Sequence, residues 1–177
     1  MRWETLFADL EAQLAASSAA EDRDLARAEV ARTPLDDRVR AHVGAPLRVW
    51  LRDGTALAGT VRDAGAGWLL LVDDRGPVVV PASAVARLSG LSRAVAAPAG
   101  HVERRLGLGS VLRALARDRA AVRLHVDGAV LTGTIDRVGA DHLDLAEHPA
   151  EEARRPAAVR AVVTVPFGAL LAVRGAV

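Results

Sequence analysis

Six arginines, Arg104, Arg105, Arg113, Arg117, Arg119 and Arg123, surround the run Gly107-Leu108-Gly109-Ser110. A glycine-rich turn that opens a helix presents backbone N–H groups to an anion, and flanking guanidinium groups extend such a site along a phosphate backbone. RNA or DNA is the partner this chemistry implies. The run lacks the third glycine of a dinucleotide fingerprint and the lysine of a phosphate loop, so it also reads as a capped linker helix with solvated arginines. Trp50 and Trp68 are candidate platforms, because an indole face takes a base or an apolar peptide side chain. Arg48, Arg52 and Arg62 would join them if both rings emerged at one groove. Burial of both rings against the amino-terminal helices or the other half of the chain is the competing reading. His142, Asp144 and His148 have metal-binding side chains, but with no fourth partner nearby they read as polar strand ends, and neither a metal nor a cofactor is expected. No serine stands in a Gly-x-Ser-x-Gly elbow and no carboxylate pair sits in an apolar pattern, which disfavours an enzyme.

These side chains need a scaffold, and the sequence writes the same one twice. Gly54, Leu57, Gly59-Thr60-Val61, Gly65-Ala66, Leu69 and Leu71 recur 74 residues later as Gly128, Leu131, Gly133-Thr134-Ile135, Gly139-Ala140, Leu143 and Leu145. Val80-Pro81 through Leu88 recurs 85 residues later as Val165-Pro166 through Val173, after a longer loop. Such repetition means one small unit folded twice. Apolar residues alternate within each copy, as in half-buried strands. Leu47, Val49 and Leu51 face one way, Asp53-Gly54 makes a hairpin turn, and Leu57, Gly59 and Val61 return. Trp68 to Val72, Val78 to Val80 and Val85 to Leu88 follow as short strands. In the second copy Val122, Leu124 and Val126 precede Asp127-Gly128, and strands are expected at about 129 to 138, 142 to 146, 159 to 165 and 169 to 173. Leu51-Arg52-Asp53 stands where the second copy has Val126-Asp127, so one copy carries a bulge or a three-residue hairpin loop. Gly59 fits a sharp bend at a barrel corner. Five short strands joined by tight turns predict, in each copy, a bent sheet closing on itself as a small barrel.

Each copy resembles the Sm-like family of bent, five-stranded, SH3-like small barrels, over Val49 to Leu71 with Val78 to Leu88 and over Val122 to Leu145 with Val162 to Val173. The shared signature is an alternating strand, a glycine turn, a glycine in the second strand with an aliphatic residue two positions on, an apolar third strand and a short closing pair. That family's RNA pocket uses an aspartate and an asparagine around the turn between strands two and three, and a later arginine-glycine pair. Those positions fall here on Gly65 and Trp68, and on Gly139 and His142, with Val80-Pro81 and Val165-Pro166 for the later pair. The resemblance therefore implies the barrel and a habit of joining barrels edge to edge, but not the RNA-binding residues.

The predicted order is a helical segment over residues 1–44, a first small barrel over 45–90, a linker with a short helix over 91–119 and a second small barrel over 120–177. The chain is thus expected to be mainly β with amino-terminal helices. Trp3, Phe7, Leu10 and Leu14 lie at helical spacing. Their burial in a helical hairpin or a coiled coil makes them a candidate protein interface, with the chain itself or another protein as partner; helices lying on their own barrel are the alternative. Ser18 and Glu21 form a capping-box pattern for a second helix. Pro34 opens a third, in which Leu35, Val39 and Val43 share a side and Gly44 ends the run. Ser110 is placed as the cap of a linker helix from Val111 to about Asp118.

A net charge of +1 gives no general drive toward nucleic acid or an anionic membrane. All 23 basic residues are arginine, a compositional bias that discounts each of them as a polyanion signal. Their distribution is uneven: residues 101 to 120 hold five arginines and two acids, residues 1 to 44 six and nine. Without cysteine there is no disulfide or thiolate site. No apolar stretch approaches the ~20 residues of a membrane span, and no export signal is visible. A cytoplasmic, non-catalytic binding protein is expected, associated with RNA or DNA or acting as an assembly adaptor, with no membrane partner.

Overall fold

The computed structural model describes residues 13, 18, 25, 27–28, 30–97, 107–152 and 154–176. Trp3, Phe7, Leu10, Leu14, Arg104 and Arg105 lie outside the described residues. The chain divides into two compact units, Met1–Pro34 and Leu35–Val177. In the first, residues 30 to 32 are helical, and the Thr33 N–H donates to the Val30 carbonyl.

The second unit is mainly β. Its strands are β1 (Pro46–Leu51), β2 (Ala56–Gly65), β3 (Trp68–Asp73), β4 (Gly76–Pro81), β5 (Val85–Ser89), β6 (Ala121–Val126), β7 (Ala129–Val138), β8 (His142–Glu147), β9 (Ala161–Pro166) and β10 (Leu170–Gly175). Helix α1 (Leu35–Arg40) precedes β1, and α2 (Leu108–Asp118) precedes β6. All ten strands form one open antiparallel sheet in the order β5-β1-β2-β3-β4-β10-β6-β7-β8-β9. The repeat is visible in that order, since β5-β1-β2-β3-β4 and β10-β6-β7-β8-β9 are the same series of pairings. Where each copy was expected to close on itself as a barrel, the halves share a single open sheet, joined edge to edge at a seam where Val79 of β4 lies opposite Val173 of β10. No ladder among the described residues closes either half, and β5 and β9 are the free edges. The physical reason for the seam is that two strands that would each expose a row of N–H and C=O groups satisfy one another.

The one-residue phase difference resolves as a loop. Leu51 N–H donates to the Thr55 carbonyl at 2.8 Å around Arg52-Asp53-Gly54, whereas Asp127-Gly128 makes a two-residue turn with Val126 opposite Ala129. Both turns use a glycine in the left-handed region, Gly54 at φ 89° and Gly128 at φ 79°. Gly59 and Gly133 answer the close approach of a neighbouring strand. A Cβ on Gly59 would lie 2.5 Å from the Val72 carbonyl oxygen, and one on Gly133 would press on that of Ala146. Register then shifts at matching places, between Val61 and Asp63 and between Ile135 and Arg137.

Two apolar clusters lie in the unit. Leu47, Val49, Leu51, Val61, Leu71 and Val80 centre the first, and Leu112, Leu124, Ile135, Leu143, Leu145 and Leu170 the second. They exchange residues at the seam: Val79 of β4 joins the second cluster, while Leu171 and Ala172 of β10 join the first. Helix α1 gives only Val39 to the core, and Leu35 and Val43, expected on the same side, are exposed. Helix α2 begins earlier than predicted, capped at Gly107 instead of Ser110. The earlier start adds Leu108 to Val111, Leu112, Leu115 and Ala116 on one helix face against the second cluster.

Candidate functional site

The two tryptophans lie at opposite ends of β2, Trp50 opposite Ala56 and Trp68 opposite Gly65. Trp68 is 7 % exposed, with its indole over Gly65, where a Cβ would sit 2.6 Å from Nε1. His142 covers Gly139 in the same way in the second half. Trp68 is therefore a packing residue, and the two rings form no common groove. Trp50 is half-buried and flanked by cations, with the Arg87 guanidinium 4.3 Å and that of Arg48 5.7 Å from the ring centroid. Arg87 is its cross-strand partner on β5, and Arg48 stands two residues before it on the same face of β1. Contacts of this kind contribute ~0.5–1 kcal/mol at exposed sites. The sequence reading missed Arg87 because nothing local marks it. Its signal lies in the pairing of the closing strand with β1, which brings it opposite Trp50.

The predicted arginine strip is divided between elements. Arg113 and Arg117 are exposed on α2, Arg119 is exposed at its left-handed end, and Arg123 is exposed on β6. Arg123 borders an open groove of about 480 Å³ together with Glu147, Glu151 and Arg160, so its surroundings are mixed in sign. Arg62 is exposed on β2, away from Trp50.

The candidate metal ligands have separate partners. His148 is buried, and its Nδ1–H donates to the Pro149 carbonyl at 2.8 Å, leaving Nε2 to accept from the Thr134 hydroxyl at 2.8 Å. Asp144 accepts from the Thr164 hydroxyl. His142 pairs with Asp141, whose carboxyl that hydrogen bond holds below its usual range. Among the described residues no three His, Cys, Asp or Glu side chains gather as a metal site.

Two polar clamps flank the seam. Arg174 of β10 grips Asp73 of β3 through both carboxylate oxygens, at 2.9 and 2.5 Å. Arg52, in the first hairpin loop, donates to both carboxylate oxygens of Asp127 in the second hairpin turn, and also to the carbonyls of Ser83 and Gly168. Thus Arg52, a candidate partner of Trp50 by sequence, holds the two halves together.

The chain matches no family model, no curated protein and no solved structure. The distinctive parts of the surface are the free edges of the sheet. Strand β9 reads Ala-Val-Val-Thr-Val-Pro, without a charge, and Val162 is 61 % exposed. Strand β5 instead runs beside an open groove of about 500 Å³, lined by Leu35, Arg38 and residues 85 to 91. Among the described residues no helix is long and apolar enough to cross a membrane.

Proposed function

We propose that this chain is a non-catalytic binding protein made of two Sm-like or SH3-like small barrels fused edge to edge, serving as an assembly or adaptor module that works through the open edges of its sheet. The seam carries this reading, because the chain already uses one strand edge to take up another five-stranded unit. Natural edge strands are normally blunted by lysine, proline or a bulge; β9 has a proline only at its last position, Pro166, and the rest of its free edge is uncharged, with Val162 exposed. The non-catalytic part is supported by the use made of the reactive side chains. His42 and His148 spend both ring nitrogens on structural partners, and Asp73 and Asp127 serve in the clamps.

A second copy at β9 would not repeat the seam. The counterpart of Val79 is Thr164, that of Arg174 is Ser89 and that of Leu171 is Ala86, so a head-to-tail joint of β9 with β5 would lack the ion pair and the buried leucine. Pairing of β9 with β9 about a two-fold axis uses the same edge of both copies and stops at a dimer, leaving β5 free in each. Light scattering on the full chain over a wide concentration range is expected to level at a dimer, and Val162→Lys to return a monomer. A monomer throughout, or a dimer that Val162→Lys leaves intact, would remove β9 from the reading.

Association with RNA or DNA is the second reading, favoured by the exposed Arg113, Arg117 and Arg119 around α2. It requires binding of labelled single strands at low salt, falling steeply as salt rises, and lost when Arg113 and Arg117 become glutamine.

A further inference from the structure

We propose that the open side of β5 is a docking groove for an extended acidic peptide segment, taken up as an added strand. This rests on the reading of the chain as a module working through its sheet edges, and it names the partner of one edge. Among the described residues β5 pairs with β1 alone. The groove beside it has α1 as its far wall; Leu35, Val85, Leu88 and Leu91 supply apolar lining, Arg38 and Arg87 supply charge, and among the described residues no acidic one lines it. Leu35 is 45 % exposed while Val39, one turn on, is in the core, so a leucine stands open beside the free edge of β5.

The charges of the groove are uncompensated. Arg38 donates to the neutral carbonyl of Ser92 and Arg87 lies on Trp50, so neither has an acidic partner among the described residues. The acids of α1 are engaged elsewhere: Asp37 holds Arg40, and Asp36 accepts from the Gly67 N–H. The chain leaving β5 is also tied along α1. Ser92 N–H donates to His42 Nε2 at 2.8 Å, Ala96 N–H to the Asp37 carbonyl at 3.0 Å, and Arg40 to the Ala97 carbonyl at 2.9 Å. A wall fixed in advance lowers the ordering cost of binding.

A peptide fits this site better than a nucleic acid. A free strand edge offers N–H and C=O groups at the spacing of another peptide backbone, and aliphatic residues alternating with carboxylates answer the leucines and arginines in turn. A base stacking on Trp50 would instead have to displace Arg87 from the ring.

The test uses the full chain and fluorescence anisotropy with four labelled probes. They are an eight-residue peptide alternating valine with glutamate, the same peptide with lysine for glutamate, the glutamate peptide N-methylated at alternate backbone nitrogens, and a short single-stranded oligothymidylate. The glutamate peptide is expected to bind, the lysine and N-methylated peptides to bind at least about tenfold more weakly, and Arg87→Gln or Arg38→Gln to weaken the glutamate peptide about tenfold. Arg87→Glu should shift preference toward the lysine peptide. No binding of the glutamate peptide at low salt, equal binding after N-methylation, or tighter binding of the oligonucleotide would overturn the proposal. Light scattering on the same samples separates the two readings: a monomer that binds the glutamate peptide keeps this groove while removing self-association at β9.

Discussion

The carboxyl of Asp73 is held below the usual aspartate range first by the hydrogen bond from Arg174, with desolvation acting against it and the Arg75 N–H helping. Both side chains are largely buried, at 10 % and 16 % exposure, so solvent screens the pair little. A group whose pKa is lower folded than unfolded contributes stability that is present above its unfolded value, about 3.9 for aspartate, and lost as pH falls through the folded value. Asp73→Asn is therefore expected to cost about 2 kcal/mol near neutrality. The gap from the parent should narrow below about pH 4, where the parent loses the same contact. Urea unfolding of both proteins at neutral and acid pH measures this. An equal loss at both values would show that the carboxylate charge is not what holds Arg174.

At the scale of elements, the paired glycines make the sharpest claim. A methyl at Gly59 meets backbone of β3, and one at Gly133 meets backbone of β8, so neither can be relieved by turning a side chain. Gly59→Ala and Gly133→Ala are each expected to destabilise by ~1–3 kcal/mol, with Gly133 the worse because its neighbour is closer. Gly168→Ala, with nothing within 4 Å, should leave the melting temperature nearly unchanged. Thermal melts of the three variants rank them, and a silent Gly133→Ala would mean that β7 and β8 are not so close. Most of this element structure was legible in the sequence, because alternation tells which side of a strand is buried and Asp-Gly marks where it turns. Most of the strands found lie within two residues of those expected, β2 running further, to Gly65, and the phase of Leu51 against Val126 narrowed the first hairpin to a bulge or an extra loop residue. Joining edge to edge was implied by the resemblance alone, and which edges meet was not legible. Backbone N–H and C=O groups are the same at every residue, so no side-chain period says that β4 meets β10 or that Arg87 comes to rest on Trp50. That Trp68 could be buried was legible but its place was not, since the space it fills exists only because Gly65 has no side chain.

The whole unit behaves as one body only if the seam transmits stability, and Leu171 is the residue that tests this. It belongs by sequence to the second copy, yet it is fully buried in the apolar cluster of the first, with Ala172 beside it. Its counterpart in the first copy, Ala86, is exposed on the free β5 edge, so the leucine is specific to the seam. Truncation by Leu171→Ala leaves a cavity among side chains such as Val78 and Val80 and is expected to cost ~2–5 kcal/mol. If the halves were independent, that loss would fall on β6 to β10, where the substitution lies in the sequence. With the seam as built it falls on both, because β10 cannot leave the first cluster without unpairing from β4 and exposing Val79, which lies in the second cluster. Native-state hydrogen exchange should therefore show the amides of β1 and β3 losing protection together with those of β6 and β8, in a single cooperative unit. Unchanged protection in β1 and β3 would mean that the two copies hold their cores separately and that the seam is only a contact between them.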